Sequence, residues 1–133
     1  MLYKALIASM MLMLGARTFA DDIDFGRDIR PILSDRCFAC HGPDEENREG
    51  GLRLDKKESA FGEADSGERP IVPGKVDGSE LFRRLITDDA DERMPPAETN
   101  KPLTKAEIEL VRKWIEQGAD WQEIGRASCR ERV

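Results

Sequence analysis

The chain has 133 residues, enough for one domain with a modest core. Aromatic residues make up only 6% and charged residues 36%, so the side chains supply little apolar volume for a domain of this size. The formal net charge is −6, and −8 once the first twenty residues, with two bases and no acid, are set aside. Such a chain repels nucleic acid and anionic membrane surfaces; its acidity either suits a partner with a basic docking face or serves solubility alone.

The N-terminus reads as a secretory signal. Lys4 gives a short positive start, and Ala5 to Ala16 is an uncharged, mostly apolar run of twelve. Thr18-Phe19-Ala20 then places small residues third and first before a cut ahead of Asp21. The run is too short to cross a bilayer, which takes about 20 residues. Residues 1–20 are therefore expected to be removed on export to the periplasm, with no stable membrane insertion afterwards. An uncleaved anchor is the alternative.

Ile23-Asp24-Phe25-Gly26 is too short and mixed to assign. A helix is expected from Asp28 as N-cap, with Pro31 in its first turn, where a missing N–H costs little. Ile29, Leu33 and Cys37 share one face of it, with Ile32 beside them.

That face leads into Cys37-Phe38-Ala39-Cys40-His41, two thiols three positions apart followed at once by an imidazole. This is the attachment pattern of a c-type haem. The thiols can add across two vinyl groups of one porphyrin, giving two thioethers, and His41 is then held under the iron as proximal ligand. A structural zinc site needs four ligands, but the chain has one histidine, and its third cysteine, Cys129, lies far off. A redox dithiol belongs in a βαβ setting, and no strand pattern is found. A Cys37–Cys40 disulfide is possible in an exported chain but leaves His41 unexplained. A buried haem would also add the apolar surface that the composition lacks.

Gly42-Pro43 stops the helix, and 44–51 is a charged loop. Asp55 with Glu58, and Asp77 with Glu80, read as capping boxes of two short helices, the second running from about Gly78 to Thr87. Leu81, Phe82, Leu85 and Ile86 give the second its apolar spacing. Arg83 and Arg84 are placed on its outer, solvated face, with one of them in reach of a haem propionate. The acidic run 88–92 is a loop leading to Arg93-Met94-Pro95-Pro96. The last helix is the best signed: Thr104 caps it with Glu107, Leu103 and Ile108 form a hydrophobic staple, Ile108, Val111 and Ile115 line one side, and Gly118 ends it.

A second axial ligand follows by elimination. Of five methionines, Met1, Met10, Met11 and Met13 lie in the expected signal, so the mature chain has only Met94, in a proline-braced loop. A thioether trans to histidine raises the potential and suits electron transfer. The competing role for Met94 is core packing.

The layout resembles class I cytochrome c. More closely, 28–33 (DIRPIL), 37–44 (CFACHGPD), 51–55 (GLRLD), 71–75 (IVPGK), 91–96 (DERMPP) and 114–119 (WIEQGA) resemble the planctomycete-type cytochrome c domain, in order, over 23–121. The resemblance implies an all-α fold of a few short helices around one covalent haem c. It also implies the thioether roles for Cys37 and Cys40, and axial ligation by His41 and Met94. Such domains commonly stand at the N-terminus of longer exported proteins. The ending 122–133 breaks from the acidic composition and reads as a non-native or disordered tail, so the natural protein is expected to be longer and Cys129 is given no role. Three functions stay open. One is an electron carrier working with a redox partner protein or fused C-terminal domains. The second is a haem enzyme or sensor of peroxidase-like or gas-binding type. The third is a regulatory haem domain of a larger exported protein.

Overall fold

The structure is a computed structural model and describes residues 22–123. The expected signal segment and Cys129 lie outside the described residues. A π-helical turn, Phe25–Ile29, runs directly into α1 (Arg30–Arg36). It is followed by α2 (Phe38–His41), α3 (Lys57–Phe61), α4 (Glu80–Ile86), a 3-10 turn (Ala97–Thr99) and α5 (Lys105–Glu116). Among the described residues there is no strand. The architecture is all-α, as the sequence suggests.

The first helix begins a turn earlier than expected. Asp24, not Asp28, is the cap: its carboxylate accepts from the Arg27 N–H at 2.7 Å. Asp28 sits inside the turn, and its carboxylate accepts from the Asp24 N–H at 2.9 Å while pairing with Arg27. The wide π register ends where the Arg30 N–H reaches the Phe25 carbonyl, one residue before Pro31, which has no N–H to give. The early start has a packing reason. It carries Phe25 into the core beside Ile29, both almost wholly buried.

That core is an aromatic cluster closed by α5. Phe25 stacks on Trp121 with ring centroids 4.2 Å apart and lies 5.5 Å from Trp114, while Phe61 meets Trp121 edge-on. Trp114 buries its ring and donates its indole N–H to the Asp120 carbonyl at 2.9 Å, so the one polar atom it takes inside is satisfied. Ile29, Ile32, Leu33, Val111 and Ile115 complete the cluster. α5 has the expected capping box, with the Thr104 hydroxyl accepting from Glu107 N and the Glu107 carboxylate from Thr104 N. It closes in a Schellman turn. Ala119 N–H reaches the Trp114 carbonyl and Gly118 N–H the Ile115 carbonyl, with Gly118 at φ +108°, a conformation glycine adopts freely.

The other two capping boxes do not form. Asp55 pairs with Arg53 instead, and α3 starts at Lys57 with no side-chain cap. Asp77 is exposed, and α4 starts at Glu80 behind Ser79. Ser79 is 1% exposed; its hydroxyl accepts from Val72 N and donates to the Lys75 carbonyl, at 2.9 and 2.8 Å. Glu80 is engaged by Arg83 and Arg84. In each case an arginine partner or a tertiary anchor takes the group that a local cap would have used.

Candidate haem-binding site

α1 and α2 deliver the thiols. The helical ladder runs on through Cys37, whose N–H reaches the Leu33 carbonyl at 2.9 Å, and the His41 N–H then reaches the Cys37 carbonyl at 2.8 Å. Gly42 is needed at the end of α2 by close approach: a side chain there would place its Cβ 2.3 Å from the Phe38 carbonyl oxygen. The loop beyond turns back over α2, with the Glu49 N–H on the Cys40 carbonyl and the Leu54 N–H on the His41 carbonyl, each at 2.8 Å.

Glu49 also orients the histidine. Its carbonyl oxygen lies 3.1 Å from His41 Nδ1. A carbonyl only accepts, so Nδ1 carries the proton and Nε2 keeps a lone pair. Burial holds the imidazole below its ordinary pKa, which favours the same neutral form. A neutral ring with Nδ1 tied to a carbonyl is the arrangement that suits a metal-ligating histidine. Burial pushes the Cys37 thiol up to about 12, against the Arg36 guanidinium beside it. Burial thus favours the neutral Cys37 thiol over its thiolate. Among the described residues, no group of three or more His, Cys, Asp or Glu side chains is arranged to hold a bare metal ion.

Cys37, Cys40, His41 and Met94 all line one cavity of about 440 Å³, within the range of about 300–1,000 Å³ usual for small-molecule and cofactor sites. Leu52, Leu54, Leu81, Leu85, Pro70 and Pro95 supply apolar walls. Met94 is brought there by its own main chain, whose N–H donates to the Arg84 carbonyl of α4 at 3.0 Å. Arg36, Arg84 and Lys101 stand on the same lining. Arg36 Nε is buried with no hydrogen-bond partner in the protein, although the head group pairs with Glu107 and Asp35. The three cationic side chains on a mostly apolar lining fit a flat apolar group with carboxylates at its edge. The residues present therefore fit a haem: two thiols, one free imidazole nitrogen, one thioether, apolar walls and a cationic rim.

Of the two arginines that the sequence places on the outer face of α4, one in reach of a propionate, Arg84 lines the cavity. Arg36 and Glu49 were not apparent from sequence. For Arg36 the available signal is its position directly before Cys37. Glu49, which orients His41 through a main-chain oxygen, leaves no trace in residue identity.

Helical fold, thiol pair, histidine and apolar cavity together describe a c-type cytochrome domain. Residues 37–98, which contain all four candidate haem residues, match the family described as planctomycete cytochrome C, so this segment is a planctomycete-type cytochrome c domain. The chain is also similar to hydrazine synthase subunit alpha of Kuenenia stuttgartiensis, with 30% identity over 127 aligned positions, covering 77% of this chain and 16% of that protein. It thus spans about one sixth of that relative's length. No solved structure matches the chain.

Proposed function

We propose that this domain carries one haem c, tethered by thioethers at Cys37 and Cys40 and ligated axially by His41 and Met94, and that it transfers electrons in the periplasm. The observation that carries the reading is the meeting of those four side chains on one apolar cavity. The chemistry a bound haem supplies is one-electron exchange at its iron, tuned by the axial ligands and the dryness of the pocket. The protein's part is positional. The α1–α2 junction and α2 hold two thiols and an imidazole within five residues, Glu49 fixes the imidazole proton on Nδ1, and leucines supply apolar walls. Arg36, Arg84 and Lys101 bring positive charge to the cavity lining, where it suits the carboxylates of a haem. The acidic surface suits a redox partner with a basic face, as a separate protein or as further domains of the same one.

The test is expression with a cytochrome c maturation system and export. The pigment should stay with the polypeptide through acid–acetone extraction and denaturing electrophoresis. Release of the pigment would rule out thioether attachment. A second reading, a haem module within a larger enzyme, is favoured by the similarity to one sixth of a hydrazine synthase subunit. Carbon monoxide added to the reduced protein separates the two: a firm Met94 bond excludes the gas, whereas an open iron site binds it.

A further inference from the structure

Cys40 and His41 lie on α2 and Cys37 at the junction of α1 and α2, but Met94 lies in irregular chain between α4 and the 3-10 turn. Four links tie that loop back to the end of α4. The Met94 N–H donates to the Arg84 carbonyl at 3.0 Å, and Arg84 Nη1 donates to the Glu92 carbonyl at 3.2 Å. Arg83 Nη1 reaches the Glu92 carboxylate at 2.6 Å, and Arg93 Nε reaches the Thr87 carbonyl at 3.0 Å. Both α4 arginines are rooted in one carboxylate, that of Glu80, through contacts of 2.6 to 2.8 Å. Glu80 stands three and four residues before them on the same helix, the favourable order for such pairs.

From this geometry we infer that Arg84, helped by Arg83 and rooted on Glu80, is a positioning residue that clamps the Met94 loop and sets how firmly Met94 holds the iron's sixth position. The inference rests on the reading of Met94 as an axial ligand. A thioether is a weak ligand, and a loose loop would have to lose conformational freedom each time it bound; a loop already held has less to lose. The two arms differ in strength. The Arg83–Glu92 pair is nearly half exposed on both sides and is worth little alone. Arg84 and Glu80 are 28% and 12% exposed, and Arg84 grips main chain two residues from Met94 while also lining the cavity. Arg84 is therefore the principal arm.

The experiment is an imidazole titration of the ferric holoprotein at neutral pH, since imidazole must displace Met94 to bind. Arg84→Met should raise imidazole affinity about tenfold, the loss of one hydrogen bond from a charged donor. Arg112→Met, which breaks only exposed pairs on α5, should leave it unchanged. In a Met94→Ala background, Arg84→Met should change affinity by no more than about twofold, because no loop ligand remains to be positioned. Where Arg84→Met does not accumulate as holoprotein, Arg84→Lys keeps the charge beside Glu80 but cannot span both partners, and the same gain is expected. Unchanged affinity in the Arg84 variants, with a clear gain in Met94→Ala, would overturn the clamp and leave Met94 ligation standing. An equal gain with and without Met94 would also overturn it. If Met94→Ala itself binds imidazole no tighter than the parent, the ligand assignment is what fails.

Discussion

Phe25, Ile29, Leu33, Trp114 and Ile115 are at most 2% exposed, and the rings stack so closely that they leave no room between them. Beyond the end of α1, Cys37 and Cys40, with Leu52 of the following loop and Leu81 and Leu85 of α4, stay only half-buried around a cavity of about 440 Å³. Both regions draw on apolar side chains, yet one is closed by the chain's own aromatics and the other lines a cavity. A domain poor in aromatics has gathered Phe25, Phe61, Trp114 and Trp121 at one pole. The hydrophobic gain available at the other pole depends on what fills it.

The largest effects should come from the cavity pole. Replacing Cys37 and Cys40 with serine together should abolish covalent pigment, read by haem staining after denaturing electrophoresis. Stain retained by the double variant would mean that attachment lies elsewhere. Met94→Ala should remove any methionine-to-iron charge-transfer band of the ferric protein, lower the reduction potential and admit carbon monoxide. A variant with the parent's spectrum and potential would make Met94 a packing residue.

Effects at the closed pole should fall on stability and leave the spectrum alone. Ile115→Ala should cost about 2–4 kcal/mol by leaving a cavity in the core, measured by denaturant unfolding of the holoprotein. Absorption bands that moved in the folded variant would blur the separation between the two poles. Thr104→Ala should cost about 1 kcal/mol, since it removes the acceptor for the Glu107 N–H.

The smallest effect expected is on acid stability. The Glu80 carboxyl is held below its ordinary range by hydrogen bonds from Arg83 and Arg84, and that of Glu107 by the Thr104 N–H and then Arg36. In both, the folded state binds protons less readily than the unfolded one. Their stabilisation is therefore complete above about pH 4.5 and declines as pH falls toward the folded-state values. Glu80→Gln should flatten that decline in a pH series of melting temperatures. A slope identical to the parent's would show that the network contributes nothing to folding.

The residues of the candidate site were legible because each signal is local or a matter of counting. The thiol spacing, the adjacent histidine and a single methionine beyond the signal need no knowledge of the fold. The capping box of α5 was legible for the same reason: Thr104, Glu107 and the Leu103–Ile108 staple close on themselves within one turn. Asp55 and Asp77 offered the same pattern and failed, because Arg53 took the first carboxylate and Ser79 fixed the start of α4 from inside the core.

By itself, then, the sequence picked out the residues of the candidate site and an all-α fold, since short-range spacing and composition carry both. Only the tertiary structure decided that the first helix starts at Asp24, that Phe25 and Trp121 stack across almost the whole domain, and that Arg84 turns toward the cavity. It also decided that a main-chain oxygen at Glu49 holds the His41 proton on Nδ1. Each of these depends on groups distant in the chain or on backbone atoms common to every residue, and neither leaves a mark in residue identity.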